Sequence, residues 1–422
     1  MNSNRNFAQR LKRRVVGSSA ASAPTRLAMD GGKIGQTMAT DLHSSFRLGY
    51  RPALDGVRGI SILAVMWLHG SLLWVGRGGF LGVDIFFVLS GFLITTLLIQ
   101  EWEQNASISF RTFYIRRGLR LMPPLFVLIA VCLVLAAIYP APDGFVAKSK
   151  LILVALFYLA NWLPVSPVLG HTWSLGIEEQ FYVVWPFLLF LLLRSRLSRH
   201  AVVLIMLGGV AVIAGHRAVL WYHGANGIRL YTGLDTRADS LVIGGIIGAL
   251  ISWNLIPRKR WLLRALRVFT VLSIFAMAYL MLTLPFLSWF LFVGGHTLFA
   301  VMVAGVIINL FYAPLNLITN VLEFSVLRWF GRLSYGLYLW HLPVYLAYDS
   351  LFPKFPAKSY TLSIFVPFGI KFTLAVLVAT VSFYVIERPA LRLKKRFRAQ
   401  SSRNESAEVV RLVIATEGGN QS

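Results

Sequence analysis

Ten uninterrupted apolar runs constrain this chain more than any other feature. They cover residues 57–75, 79–99, 121–139, 175–193, 201–221, 241–256, 268–284, 289–311, 333–351 and 362–386. Each is read as a crossing of the ~30 Å hydrocarbon core of a bilayer. Backbone amides find no water in lipid, so only helices or a closed barrel cross it. Continuous rather than alternating hydrophobicity selects helices. The expected fold is an all-α integral membrane protein with about ten transmembrane helices. Composition points the same way: 57% of residues are apolar and 14% charged, against about 45–50% and about 25% in a soluble chain. An ordinary soluble enzyme is excluded.

The formal charge of +24 would suggest nucleic acid in a polar chain. That reading needs a water-facing basic stripe, whereas here the basic residues punctuate apolar runs, so the expected partner is the bilayer and no nucleic acid. An eleventh run, 145–163, contains Lys148, Lys150 and Asn161 and ends before Pro164. If it does not cross, the loops on one side (101–120, 194–200, 257–267, 313–332 and 387–398) hold twenty Lys and Arg, and those on the other hold seven. Positive charge concentrates on the cytoplasmic side, so the expectation is ten crossings with both termini cytoplasmic. Run 145–163 is then a re-entrant or outer-surface segment, a kind of backbone tolerated where protein buries it or water lines it.

Residues 1–50 carry eight Lys and Arg among Ser, Ala and Gly and read as a disordered basic cytoplasmic tail. No apolar stretch follows these charges, so no cleavable signal is expected. Residues 51–389 form the transmembrane domain, and 390–422 a basic, then polar, cytoplasmic tail. The lone Cys132 allows no intramolecular disulfide and no thiolate cluster.

Ionisable groups inside the runs are costly in lipid and mark candidate sites. Arg58 and His69 are eleven residues apart, which returns a helix to within about 20° of the same face and separates them by roughly 16 Å. Snorkelling explains Arg58 equally well, and packing explains His69. Asp84 lies at similar depth across the short Gly76–Gly78 connection, where a carboxylate would fix the imidazole tautomer and prepare a general base; as a plain alternative it caps its helix. Ser90 and Gly91 leave a small-residue notch. Arg117 and Arg120 share a face and suit phosphates, although ordinary positive-inside charge also places them there. His171, Thr172, Trp173, Ser174, Glu178 and Glu179 open the fourth run, with Ser174 and Glu178 one turn apart; this is either a helix start or an acceptor-binding rim. His341 and Lys371 are further intramembrane groups for which local packing is the plain reading. No HExxH, GxSxG or GxxxxGK[ST] pattern is present, and no metal is expected.

The segments RPALDGVRGISILAVMWLHG, GGFLGVDIFFVLSGFLI, FYIRRGLRLMP, HTWSLGIEEQFYVVWP, GRLSYGLYLWH and YVIERP together resemble the acyltransferase 3 family of integral-membrane acyltransferases, over residues 51–389. The resemblance implies transfer of an acyl group, most often acetyl, from cytoplasmic acyl-CoA to a hydroxyl of a cell-surface glycan or lipid-linked saccharide, in the bacterial inner membrane. It implies an essential His69, partnered by Arg58, and paired Arg117 and Arg120. It also brings in Asp84, Phe86, Ser90 and Gly91 of the second run, and Trp173, Ser174, Glu178 and Glu179, with Glu178 favoured for catalysis. The chain ends soon after ERP, so no SGNH-type hydrolase domain is expected.

The expected arrangement places the CoA phosphates on Arg117 and Arg120, with the pantetheine arm along the stripe from Arg58 to His69. His69, oriented by Asp84, acts as base or carries the acyl group. Ser90, Trp173, Ser174, Glu178 and Glu179 line the acceptor side, closed over by segment 145–163. The competing class is a transporter or flippase of a glycan or lipid-linked intermediate, because intramembrane Arg, His and Asp also mark transport pathways. Transporters commonly repeat their motifs in two halves, and here the motif residues crowd into the first four runs.

Overall fold

The computed structural model of the chain describes residues 46–70, 76–139, 144–352 and 362–392. Most of both tails lies outside the described residues. Every regular element among the described residues is helical. In chain order these are α1 (Pro52–Gly70), α2 (Gly82–Asn105), α3 (Phe110–Ile138), α4 (Gly144–Leu156), α5 (Trp173–Arg194), α6 (Arg199–Tyr222) and α7 (Gly227–Thr232). They continue with α8 (Leu234–Ser252), α9 (Arg260–Thr283), α10 (His296–Tyr312), α11 (Asn316–Leu322), α12 (Ser325–Leu351) and α13 (Leu362–Ser382).

Seven helical segments among the described residues are long and apolar enough to cross a membrane: Arg77–Asn105, Phe110–Ile138, Pro167–Arg194, Arg199–Tyr222, Arg260–Thr283, Leu291–Tyr312 and Phe365–Arg392. Of the ten runs, three are not among them, and their residues 57–70, 241–252 and 333–351 lie in α1, α8 and α12, with 71–75 outside the described residues. These three carry polar side chains such as Arg58, Arg237 and His341 and pack on other helices. α8 lies against α2, and α12 against α1. Polar groups that face protein rather than lipid are tolerated.

Both pairings depend on missing side chains. A Cβ on Gly91 of α2 would overlap the Leu241 carbonyl of α8, and one on Gly331 of α12 would overlap the Asp55 carbonyl of α1. Small residues let helix backbones touch in this way in membranes. In contrast, α6 and α9 expose Leu204, Val212, Leu272 and Phe275, as lipid-facing helices do.

Segment 145–163 folds as α4 followed by a turn. Thirteen residues reach about 20 Å, short of the hydrocarbon core. The turn is stitched to α5 through one residue absent from the sequence expectations. Gln180 donates to the Tyr158 carbonyl (2.9 Å) and Asn161 Oδ1 (2.8 Å), and accepts from the Trp162 indole (3.0 Å).

Candidate active site

A cavity of about 300 Å³ is lined by α1, α2, α3, α5 and α12. Leu48, Tyr50, Arg51 and Leu97 line it beside the first turns of α1 and the last turns of α2, while Ser174 and Tyr338 line it at the start of α5 and mid-α12. Arg58, Arg117 and Arg120 all line it, although they come from helices far apart in sequence. The i,i+3 spacing on α3 turns Arg117 and Arg120 the same way. Asp55, one turn before Arg58, stands 4.0 Å from its guanidinium and accepts from the Tyr50 hydroxyl at 2.8 Å. Residues 48–50, counted with the tail in the sequence reading, are therefore part of the cavity wall, and Gln100 donates to the Phe46 carbonyl just before them at 2.9 Å.

Arg117 is held by two different contacts. Its guanidinium carbon lies 3.3 Å from the Tyr182 ring centroid, a cation–π arrangement, and its Nη2 is 3.4 Å from Glu179 Oε1. Glu178 points into the cavity and accepts from Ser90 Oγ (3.2 Å) and the Tyr182 hydroxyl (3.2 Å). Glu178 and Tyr182 share a face of α5 by i,i+4 spacing, and Gly91 lets α8 press on α2 one residue beyond Ser90. The predicted Arg58, Ser90, Arg117, Arg120, Ser174 and Glu178 thus meet at one cavity, while Glu179 sits behind it on Arg117. Trp173 packs between Phe87 and Tyr231, outside the cavity lining.

His69 does not line the cavity. It occupies the last turn of α1, where its Nδ1 pairs with the Val65 carbonyl at 2.9 Å, and its ring centroid is 5.0 Å from that of His341. His341 is in turn 5.1 Å from His171. Between these rings and the cavity stand Ser174 and Tyr338, whose hydroxyls share a 2.5 Å hydrogen bond. The Tyr338 hydroxyl also donates to the His171 carbonyl at 2.9 Å. The cavity expected to run from Arg58 to His69 has Ser174 and Tyr338 in its lining, and His69 lies beyond them.

The expected pairing of Asp84 with His69 is corrected. Asp84 is fully buried and accepts from Arg237 (2.8 Å) and Ser240 (3.3 Å) of α8, with His296 Nδ1 at 3.3 Å. A similar depth for two residues on a hairpin leaves the direction each faces open: Asp84 turns to α8 and α10, and His69 to α12. Next to this group, Arg217 bonds Asp239 (2.8 Å), Thr297 (2.7 Å) and the Thr236 carbonyl (2.6 Å), all with buried side chains at the charged pair. Lys371, read as a lone cation, pairs with Asp349 at 2.5 Å.

Sequence reasoning missed Tyr182, Gln180 and His296. His296 alone gave a detectable signal, an imidazole inside an apolar run. Among the described residues, no cluster of His, Cys, Asp or Glu has the geometry to hold a metal ion.

Comparison with known proteins places this architecture. A family model described as "Acyltransferase domain" matches residues 51–387. The chain is 34% identical over 316 residues to peptidoglycan O-acetyltransferase OatA of Listeria monocytogenes, covering 70% of this chain and 49% of that protein. It is 31% identical over 366 residues to the putative peptidoglycan O-acetyltransferase YrhL of Bacillus subtilis, covering 82% and 56%. A putative O-acetyltransferase of Staphylococcus aureus is 31% identical over 360 residues, covering 81% and 58%. The chain spans about half the length of these curated relatives. No solved structure matches. Six motifs in order, the cavity they build and the match over residues 51–387 identify the chain as a member of the acyltransferase 3 family.

Proposed function

We propose that this protein is a membrane O-acetyltransferase that takes acetyl groups from cytoplasmic acetyl-CoA and passes them to a hydroxyl of a cell-surface glycan or lipid-linked saccharide. The observation that carries the reading is the cluster of Arg58, Arg117 and Arg120 on one cavity, with Asp55 and Glu179 as its close carboxylates. Guanidinium groups match phosphate oxygens in pairs, so the CoA phosphates sit at the arginines. The thioester end of the pantetheine arm reaches the Ser174 and Tyr338 layer. Glu178 holds Tyr182 and Ser90 in place and balances the arginines.

The acceptor approaches from the other side of that layer, where His69 stands. A carbonyl only accepts, so the Val65 contact keeps the proton on Nδ1 and leaves Nε2 as the basic nitrogen. His69 Nε2 takes the hydroxyl proton as the oxygen attacks the acetyl carbon, which general-base catalysis accelerates by about 10²–10⁴-fold. Ten crossings in the bacterial inner membrane, with both termini cytoplasmic, complete the proposal. Radiolabelled acetyl-CoA and isolated membranes test it: base-labile label enters the glycan fraction with the wild type and not with His69→Ala at equal protein level. Label transfer retained by His69→Ala refutes it.

A further inference from the structure

Three imidazoles meet behind the Ser174 and Tyr338 layer, and the function proposed above uses only one. His341 is fully buried on α12, and its Nδ1 faces two carbonyls, Leu337 at 3.0 Å and Tyr338 at 2.8 Å. Carbonyls fix the proton on Nδ1, so His341 Nε2 is bare, and it has no partner among the described residues. His69 likewise holds its Nδ1 against a carbonyl, that of Val65, which leaves Nε2 as its basic nitrogen. His171 lies in the short helical turn Pro167–Thr172 and is buried. The Tyr338 and Leu339 carbonyls come near its ring, but neither nitrogen has a partner in hydrogen-bond geometry.

The free nitrogens of the three rings therefore present three lone pairs and a single N–H. An unpaired buried polar atom costs about 1–3 kcal/mol, and buried polar groups are normally satisfied. Three orphan ring nitrogens, Nε2 of His341 and both of His171, lie beside the exposed ring of His69, an arrangement that a proton completes during turnover. Among the described residues no carboxylate touches any of the rings in the manner expected of Asp84, so another imidazole is the neighbour that can share the charge.

We infer that His341 and His171 are positioning residues that share, with His69, the proton removed from the acceptor hydroxyl and return it to the leaving thiolate. The inference rests on the acetyltransferase reading. In the step, the acceptor oxygen forms a bond to the acetyl carbon and its proton moves to His69 Nε2. That proton is shared with the bare nitrogens of His341 and His171. The carbon–sulfur bond breaks with its electron pair on sulfur, and the shared proton ends on that sulfur. Acetyl-CoA and alcohol become ester and CoA thiol, and three neutral rings are restored.

His341→Asn keeps a donor at the Nδ1 position for the Leu337 and Tyr338 carbonyls and removes the Nε2 site; His171→Asn removes the second ring. Each is compared with wild type in detergent for acetyl-CoA binding, kcat and KM. The expected result is unchanged binding and KM, with kcat down about 10–100-fold and partly restored by free imidazole. A kcat within about threefold of wild type in a variant that binds acetyl-CoA overturns the inference. A second measurement needs no variant: kcat of the wild type in mixtures of light and heavy water. A bowed dependence on deuterium fraction, from more than one proton in flight, is expected, and a straight line overturns the inference. Wild type that transfers no acetyl group refutes the underlying reading instead, so the two failures are distinguishable.

Discussion

Asp84 and Arg237 are each fully buried and lie 2.8 Å apart, and such a pair is fragile in a particular way. Removing one partner leaves an uncompensated charge in a low-dielectric interior, at a cost of about 3–5 kcal/mol, whereas replacing both is often close to neutral. Asp84→Ala is therefore expected to lower the thermal midpoint in detergent sharply, and adding Arg237→Met to recover much of it. A double variant as unstable as the sum of the singles would show that the pair does not act as a unit. Arg117 calls for a kinetic measurement instead. Its contact with the Tyr182 ring uses the planar guanidinium, and a lysine keeps the charge but loses the fork and the stacking. Both Arg117→Ala and Arg117→Lys are expected to raise the KM for acetyl-CoA, by about tenfold for alanine, equivalent to about 1.4 kcal/mol, with a smaller change in kcat. An unchanged KM in steady-state transfer assays would separate Arg117 from donor binding.

At the scale of elements, glycines decide which helices meet. Gly91 leaves no room for a Cβ against Leu241 of α8, while Gly208 and Gly215 of α6 have nothing within 4 Å. Gly91→Val is expected to reduce the folded fraction in size-exclusion profiles of detergent extracts, and Gly208→Val to leave it unchanged. The same contrast explains what was legible in the sequence. Helix positions were legible because an apolar run must be a helix in lipid. Arg117 with Arg120, and Ser174 with Glu178, were legible because a turn of helix fixes which way such pairs face. The partner of Asp84 was not, because it lies 153 positions away on α8 and no spacing rule spans that distance. The grouping of His69, His171 and His341 was hidden for the same reason: the sequence placed His69 with Arg58 and Asp84 and His171 with the start of the fourth run, and only the packing of α1, α12 and the turn before α5 brings the three rings together.

At the scale of the molecule, the open quantity is how the helices alternate across the bilayer. Seven segments among the described residues are long and apolar enough to cross, while ten crossings with α4 kept outside would put twenty Lys and Arg on one side and seven on the other. The two arrangements on either side of α4 differ at accessible points. Leu163 follows α4 and Leu197 lies between α5 and α6, and both are exposed. If α4 stays on the outer side, a cysteine at 163 faces outward and one at 197 faces the cytoplasm. If α4 crosses, the two exchange sides, and Arg194, Arg196 and Arg199 move outward against the positive-inside bias. The lone cysteine, Cys132, is buried, so Cys132→Ala gives a silent background. With a membrane-impermeant maleimide, Leu163→Cys is expected to label in intact cells, and Leu197→Cys only after permeabilisation. The reverse pattern would place α4 across the membrane and Arg194, Arg196 and Arg199 on the outer side, and would leave Arg58, Arg117 and Arg120, which precede α4, where they are.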